Sequence, residues 1–329
     1  MADSCVVIVN PVAGRGRAGR LWPRIARQMT EQDLKHTVVF TGGPDDATEM
    51  CAAALRDGAE MVVVAGGDGT LNEAVNGFID KATDTPLNPR ARLGFVPLGT
   101  GSDFARSLGV GQGSGAVEVL RQGNVRRVDV GRVDMDPPHE QRGTRYFANV
   151  AFGGLGVETN EYARRAPGFL GGFGAYLVGA LRSIMSHRSR RMCLRLDDGP
   201  PIAGPMGIVA VANNRYFGAG MLLAPDAQPD DGFFDVLWLG HVTRRRLLVD
   251  LLPKIYRGAH VRHPAIRLQR AKRVTVTSSE QLRLNLDGEP RGEAPVTISI
   301  VPGVLPIIAP TSRPPAAGGS HDRRGGGQG

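Results

Sequence analysis

Residues Met61 to Ile79 read MVVVAGGDGTLNEAVNGFI, and this stretch decides the fold. An apolar, β-branched run leads into a glycine-rich turn, which leads into a segment with the pattern of a helix. A strand, a glycine loop and a helix in this order are typical of sites that hold phosphate at a helix N-terminus. Asp68 stands in the middle of the loop, although a carboxylate repels phosphate. The sequence therefore predicts a phosphate-binding loop in which the acid has a separate task.

The first part of the chain repeats this alternation of strand and helix. Predicted strands are CVVIVN (5–10), HTVVFT (36–41), EMVVVA (60–65) and the start of ARLGFVPLGTGSDFARSLG (91–109). A helix is predicted from about Leu21 to Gln32, with Pro23 in its first turn, and another over DDATEMCAAALRDG (45–58). Such alternation predicts a parallel, three-layer α/β domain.

The second part of the chain is mainly β in character. Strand-like runs are RVDVGRVDM (127–135), RYFANVAFGG (145–154), MGIVAVANN (206–214), FFDVLWLG (233–240), RVTVTS (273–278), QLRLNLD (281–287) and VTISIV (296–301). Helical stretches interrupt them near 170–186 and 243–257. We predict a β-sandwich, with domains at 1–130 and 131–310. The Gly-, Pro- and Arg-rich segment 311–329 is predicted to be disordered.

The composition and net charge of the chain limit the classes of molecule that it is expected to bind. The formal net charge of +8 suits anionic partners such as nucleotides or lipid headgroups, or simply a soluble basic surface. Aromatic residues make up only 5% of the chain and no nucleic-acid motif occurs, so nucleic acid is not expected. The three cysteines lack metal-ligand spacing and are expected to be small buried residues. Without a signal peptide or an apolar run of spanning length, a cytoplasmic protein is expected.

Two further motifs suggest ligand-binding loops. After Asn10 and Pro11, VAGRGRAG (12–19) has the glycines of GxGxxG but not the end of a Walker loop, and a plain small-residue turn remains an alternative. In PLGTGSDFAR (97–106), Asp103 and Arg106 share a helix face, where a surface ion pair is the alternative. A helix cap is the corresponding alternative for GGDGTLNE.

Taken in order, NPVAGRG, GGDGTLNE, PLGTGSDFAR, DDGFFD and LDGEP resemble the catalytic family of diacylglycerol kinases, specifically the soluble bacterial lipid kinases. Sphingosine and ceramide kinases are more distant relatives. The resemblance extends from Val6 to about Ile308. It implies an N-terminal α/β domain like those of phosphofructokinases and NAD kinases, followed by a C-terminal β-sandwich whose last strand can return to the first domain.

The resemblance also implies an activity: transfer of the γ-phosphoryl group of ATP to a lipid hydroxyl, first of all that of diacylglycerol, which gives phosphatidic acid. A sphingoid base or another lipid, a soluble acceptor as in NAD kinases, and a non-catalytic nucleotide-binding regulator remain open. By position in the family's motifs, the nucleotide would be lined by Asn10, Pro11, Thr41, Gly66, Gly67, Asp68, Gly69, Thr70, Leu71, Asn72 and Thr100.

The same resemblance assigns catalytic and metal-binding roles. Glu289 would be the general base and Asp68 the key acid of the glycine loop. Supporting residues of the cleft would be Asp103, Arg106, Asp129 and Asp287. Mg²⁺ would be held by the Asp231 side chain and by the carbonyls of Gln228 and Phe233, a mixed oxygen set that suits a hard cation. A plain Asp-Gly hairpin turn is the alternative there.

One position departs from the family's pattern, which has Asn where this chain has Ser102. Serine caps helices well, so the loop is expected to survive.

A lipid substrate at a membrane surface is the expected partner. The segment RRAPGFLGGFGAYLVGALRSIMSHRSRR (164–191) is either a core helix or a membrane-facing lip with Arg188, Arg190 and Arg191 at anionic headgroups. Peripheral membrane association is therefore expected, and binding of anionic phospholipids and a homodimer stay open.

Overall fold

The computed structural model describes residues 5–135, 143–157, 159, 162, 171–186 and 188–311. The segment predicted to be disordered lies outside these residues from position 312 onward.

The N-terminal part is built on four parallel strands in the order β2-β1-β3-β6. The strands are β1 Cys5–Val9, β2 Thr37–Phe40, β3 Met61–Gly66 and β6 Arg92–Pro97. The helices are α1 Ala13–Glu31, α2 Asp46–Arg56, α3 Asp68–Phe78, α4 Asp103–Leu108 and α5 Ser114–Gln122, and a two-stranded sheet joins β4 Ile79–Asp80 to β5 Thr85–Pro86. All six residues of β3 are buried, as expected for a parallel strand covered on both faces. The predicted α/β domain is confirmed.

Helix α1 begins earlier than the sequence suggested. It starts near Ala13, passes through a left-handed turn at Gly14–Gly16 and has Pro23 in its interior rather than in its first turn. The physical reason is the buried stripe of α1, whose spacing of three and four residues starts before Pro23: Ala18, Trp22, Ile25 and Met29.

The C-terminal part consists of two facing sheets. One is antiparallel, in the order β16-β15-β12-β9-β18-β19. The other contains β11, β10, β17, β20, β7 and β8. Their bounds are β7 Val125–Met135, β8 Gly143–Phe147, β9 Val150–Gly154, β10 Arg190–Leu196, β11 Ile202–Met206, β12 Ile208–Ala212, β15 Phe234–Leu239, β16 Ile266–Ala271, β17 Arg273–Ser278, β18 Arg283–Leu286, β19 Glu289–Glu293 and β20 Val296–Ile308. A buried core that includes the stacked rings of Phe147 and Phe234 joins the sheets, so the β-sandwich is confirmed.

Helices and one small hairpin complete this part. The helical segments are α6 Gly171–Ser186, α7 Arg244–Arg246, a π-helix Leu247–Leu251, α8 Leu252–Ile255 and a 3-10 helix Ala259–Arg262, and the hairpin pairs β13 Tyr216–Phe217 with β14 Met221–Leu222. Side chains of α6 and the π-helix pack on the outer face of the six-stranded sheet. Among the described residues, no helix combines the length and the hydropathy needed to cross a bilayer.

Some strands differ from expectation. The run 145–154 forms two strands, β8 and β9, because the chain breaks at Ala148 and Asn149 to contact another segment. Strands β10, β11 and β16 were not expected, since charged residues interrupt the apolar pattern of β10 and β16 and β11 contains Gly204 and Pro205. Cys193 on β10 is partly exposed, whereas Cys5 and Cys51 are buried as expected.

The two long strands β7 and β20 connect both parts of the molecule. They pair along most of their length. At its C-terminal end, β20 also lies parallel to β6, with Ile307 beside Leu93. The sheet is therefore continuous from β11 to β2, and loops from both parts of the chain meet along it.

Candidate active site

The glycine loops after β3 and β6 touch each other backbone to backbone. The Gly66 carbonyl accepts the N–H groups of Leu98 at 2.8 Å and Gly99 at 3.0 Å. A Cβ atom added to Gly99 would lie only 2.6 Å from the Cα atom of Gly67. Glycine is required here because no side chain fits between the loops.

Several predicted nucleotide-binding residues gather at the carboxyl edge of these parallel strands, where ligands of α/β sheets bind. The Asn10 side-chain amide donates to the Thr70 hydroxyl at 2.9 Å. The Thr41 N–H donates to the Val9 carbonyl at 2.9 Å, so Thr41 lies beside the end of β1. Thr100 is exposed.

Two other residues of the predicted set are engaged in the fold. The Pro11 carbonyl accepts the Gly19 N–H at 3.1 Å. The Leu71 side chain is 1% exposed and belongs to the core. The Leu71 N–H donates to the Gly67 carbonyl at 3.0 Å, so Leu71 supports the loop rather than presenting a side chain to a ligand.

Asp68 is the first residue of α3, and its carboxylate caps the next helix, α4. It accepts the N–H groups of Asp103 at 3.2 Å and Phe104 at 3.3 Å. Burial raises the pKa of Asp68, and these hydrogen bonds oppose the shift. The carboxylate therefore ties the N-terminus of α4 to the glycine loop.

Ser102 occupies the N-cap position of α4, but its side chain makes no capping hydrogen bond. Ser102 has a φ of +53°, and its buried hydroxyl has no hydrogen-bond partner. Asparagine adopts this left-handed conformation more readily than serine, which gives a physical reason for the asparagine of the family's pattern.

Asp103 forms a close acidic pair with Asp68. A Cβ atom at Gly101 would lie 3.3 Å from Oδ2 of Asp68 and 3.7 Å from Oδ2 of Asp103. Burial and the neighbouring Asp68 charge raise the pKa of Asp103 to about 7. One Asp103 oxygen accepts the Ala219 N–H at 2.9 Å, while the other, Oδ1, is buried without a partner.

A surface ion pair between Asp103 and Arg106 is excluded, because Asp103 is 4% exposed. The Arg106 guanidinium instead lies 5.5 Å from the ring centroid of Tyr216. Arg106 therefore packs against the hairpin of β13 and β14, close to the acidic pair.

Asp287 joins α3 to the strands of the sandwich. Its carboxylate accepts four N–H groups: Ala148 at 2.7 Å, Asn149 and Val150 at 2.8 Å, and the Asn72 side chain at 2.9 Å. Burial raises the pKa of Asp287 to about 6. The Asn72 amide also donates to the Tyr146 carbonyl at 3.0 Å. Asn72 and Asp287 thus hold the two parts of the chain together.

Glu289 lies beside the first turn of α3. A Cβ atom at Gly69 would be 3.5 Å from Oε1 of Glu289. Glu289 begins β19, two residues after Asp287, so the buried carboxylate of Asp287 anchors the turn that carries it. Further along β19, Arg291 pairs with Asp45 at 2.9 Å, across the same junction. The structure therefore brings a second carboxylate to the glycine loop.

The predicted metal loop forms a separate group around Asp129. The Asp129 carboxylate accepts the N–H groups of Gly232 and Gly303, both at 2.7 Å. Asp231 accepts the Phe233 N–H at 3.1 Å and is ion-paired with Arg270. None of the hydrogen bonds described for Asp231 reaches Asp68. The loop is thus held by internal contacts, and the metal-binding role of Gln228, Asp231 and Phe233 stays a prediction.

Sequence reasoning missed two buried asparagines that connect these groups. The Asn213 amide donates to the carbonyls of Asp129 at 2.8 Å and Ala148 at 2.9 Å. The Asn214 amide donates to the Ala148 carbonyl at 2.8 Å. The available signal was a pair of amides at the end of an apolar strand, where a buried polar side chain needs partners.

An apolar cavity lies beside the hairpin of β13 and β14. It has a volume of about 130 Å³ and lies between the six-stranded sheet, α6, the π-helix and α8. Phe217 and Met221, on the hairpin of β13 and β14, line it. At the tip of that hairpin, a Cβ atom on Gly220 would be 2.8 Å from Nη1 of Arg106. The hairpin therefore links the cavity to the acidic pair.

Comparisons with known proteins identify the family of this chain. Residues 4–133 match the family model of the diacylglycerol kinase catalytic domain. Residues 149–309 match the YegS C-terminal NAD kinase beta sandwich-like domain. A protein named diacylglycerol kinase from Staphylococcus carnosus (strain TM300) is 31% identical over 295 residues, which cover 88% of this chain and 89% of that protein. One of the same name from Staphylococcus aureus (strain bovine RF122 / ET3-1) is 28% identical, with 92% and 91% covered.

The fold has a counterpart among solved structures. The crystal structure of a diacylglycerol kinase from Bacillus anthracis str. Sterne is similar, with a TM-score of 0.70 and 21% identity, over 94% of this chain and 97% of that one. The relatives match over nearly their whole length, and both family models fit in order. The chain therefore belongs to the diacylglycerol kinase family and is a kinase whose acceptor is an alcohol group.

Proposed function

We propose that this protein is an ATP- and Mg²⁺-dependent lipid kinase that transfers the γ-phosphoryl group to a hydroxyl, most directly that of diacylglycerol. The observation that carries the proposal is the apolar cavity, which the hairpin of β13 and β14 joins to the acidic pair of Asp68 and Asp103. A soluble acceptor such as NAD has no need of this apolar space. An engineered dry cavity of about 150 Å³ holds benzene, so this one accommodates a short length of acyl chain.

The proposed reaction uses residues at the N-terminal turn of α3. The backbone amides of Gly69 and Thr70 would hold phosphate oxygens, as helix N-termini do. Glu289 would take the proton of the lipid hydroxyl. The hydroxyl oxygen then bonds to the γ-phosphorus, the bond from that phosphorus to the bridging oxygen breaks, and ADP leaves. Arg106 would offset negative charge on the transferred group.

Among the candidate ligands for Mg²⁺, the pair of Asp68 and Asp103 fits better than Asp231. Oδ1 of Asp103 is buried without a partner, whereas Asp231 is already paired with Arg270. The described residues contain no group of three or more potential metal-ligating side chains. Two carboxylates suffice, because Mg²⁺ in kinases is usually completed by phosphate oxygens and water. When bound there, the ion would supply positive charge that offsets the negative charge of the phosphates.

A membrane surface would present the lipid to this cavity. Ile184 and Leu251 face the cavity from α6 and the π-helix. On the same two helices, Leu181, Met185 and Val249 are exposed to solvent at 38%, 56% and 72%. Arginines at 182, 188, 191 and 244–246 are exposed nearby. Apolar residues with a basic rim suit an anionic bilayer and support peripheral binding.

The test is a phosphotransfer assay with labelled ATP and a panel of acceptors: diacylglycerol, monoacylglycerol, sphingosine, ceramide, phosphatidylglycerol and NAD. We expect labelled phosphatidic acid from diacylglycerol. A product only from sphingosine or ceramide would move the assignment to that lipid class. A product only from NAD would overturn the lipid assignment. No product at all would favour a nucleotide-binding regulator.

Substitution of Glu289 tests the proposed base. Glu289→Gln keeps the shape but cannot accept the proton, so we expect kcat to fall by about 10²- to 10⁴-fold. Glu293→Gln, on the same strand, is the matched control and should keep its activity. Near-normal turnover in a folded Glu289→Gln variant would remove Glu289 from the mechanism.

A further inference from the structure

One buried histidine, His260, lines the apolar cavity, and its hydrogen bond shows which ring nitrogen carries the proton. His260 lies on the 3-10 helix, lines the cavity and is 2% exposed. Its Nε2 atom is 3.0 Å from the Leu223 carbonyl oxygen. Since a carbonyl only accepts, Nε2 carries the proton and donates it. Burial lowers the pKa of His260 to about 4, so the ring is neutral near pH 7 and Nδ1 bears a lone pair.

That lone pair has no partner. Nδ1 of His260 is buried and makes no hydrogen bond. The other polar side chains among the described lining residues are Thr159 and Ser183, and the Ser183 hydroxyl already accepts the Gly156 N–H at 3.0 Å. A buried acceptor without a donor is uncommon and calls for an explanation. A ligand that brings a donor would satisfy it.

We propose that Nδ1 of His260 is a specificity-determining acceptor, which favours lipids whose apolar part carries a hydroxyl or an amide N–H. The inference rests on the proposed lipid kinase function. The ester groups of an ordinary diacylglycerol only accept hydrogen bonds, so its acyl chains leave Nδ1 unpaired. A site built around a buried polar group discriminates against ligands that cannot pair with it.

The hairpin indicates where the donor belongs. Its tip, at Ala219 and Gly220, contacts Asp103 and Arg106 in the cleft. Leu223, which holds His260, follows the second strand of the same hairpin. Three residues of extended chain span about 10 Å, so the donor is expected along the acyl chain rather than at the phosphorylated hydroxyl.

The test compares three matched lipids in mixed micelles: a diacylglycerol, its analogue with an amide in place of the 2-ester, and a diacylglycerol with a mid-chain hydroxyl. Wild type should prefer the lipid with the mid-chain hydroxyl by up to about tenfold in kcat/KM, as expected for one neutral hydrogen bond, whereas the 2-amide analogue, whose donor lies next to the phosphorylated hydroxyl, should match the ester. His260→Phe should abolish the preference. His260→Gln should retain part of it, because the amide can donate to Leu223 and still offer an acceptor. Thermal melting checks that both variants fold.

Equal kcat/KM values for the three lipids in wild type, or the same preference in His260→Phe, would overturn the inference. A second readout does not depend on turnover: the ¹⁵N signal of Nδ1 should shift when the preferred lipid is added without ATP. If no lipid is phosphorylated but this signal shifts, the proposed function fails and the inference stands. If lipids are phosphorylated without preference and the signal does not move, the inference fails alone.

Discussion

Gly99→Ala tests whether contact between the two glycine loops positions the active site. The added Cβ atom would lie 2.6 Å from the Cα atom and 3.5 Å from the N atom of Gly67. Ordinary contacts begin near 3.4 Å, so the loops must separate by about 0.8 Å. The atoms in conflict belong to backbone, and the next residue, Asp68, holds the N-terminus of α4. A change of side-chain rotamer therefore cannot relieve the clash.

The magnitude follows from this displacement. Overpacking of this kind costs about 1–3 kcal/mol, which is less than the roughly 5–15 kcal/mol by which folded domains are stable. The Gly99→Ala protein should therefore fold. A shift near 1 Å in a phosphate-holding loop lowers kcat/KM by on the order of 10²-fold. The assay is phosphotransfer from labelled ATP at varied ATP concentration, alongside urea unfolding of the same samples.

Gly115→Ala is the matched control. Gly115 lies in α5, and a Cβ atom there would meet no heavy atom within 4 Å. Its activity should equal that of wild type. Wild-type kcat/KM in Gly99→Ala, or equal losses in both variants, would refute the reasoning that contact between the loops sets the geometry.

Three further predictions concern the exposed apolar residues of α6 and the π-helix, the buried His260 and the loop around Asp231. Val249→Glu should weaken co-sedimentation with anionic vesicles by roughly tenfold, because the apolar side chain no longer enters the bilayer. Val125→Glu changes another exposed apolar position and should leave co-sedimentation unchanged. Equal losses in both variants would contradict membrane binding through α6 and the π-helix. Burial lowers the pKa of His260 from 6.5 to about 4, so unfolding between those values takes up a proton and stability rises with pH. From pH 7 to 4.5 wild type should lose about 2.5 kcal/mol more stability than His260→Gln in urea unfolding, and parallel profiles would rule this out. Arg270→Ala should leave the Mg²⁺ affinity unchanged in calorimetry without nucleotide, because Asp68 and Asp103 are proposed to hold the ion, and binding tightened by about two- to fivefold would make Asp231 a ligand instead.

The candidate site was predictable where a motif is local. The buried run 61–65 and the glycines behind it predicted the strand, the loop and the following helix, because a parallel strand covered on both faces must be apolar throughout. Ordered motifs indicated Glu289, which the structure places beside Gly69. The sequence did not indicate that the Asn72 side chain would be used to join α3 to Asp287, 215 positions further along the chain.

The sequence by itself determined the class of fold, the glycine loops and the family, since hydrophobic periodicity and turn residues act over a few neighbouring positions. Only the tertiary structure decided the partner of each buried polar group. Asp68 was predicted as the acid of a phosphate loop, and the fold makes it also the cap of α4. His260 carries no motif, yet packing places it in an apolar cavity with one nitrogen unpaired. The physical reason is that a buried donor or acceptor takes its partner from whichever chain segment packs against it, and local sequence does not specify that segment.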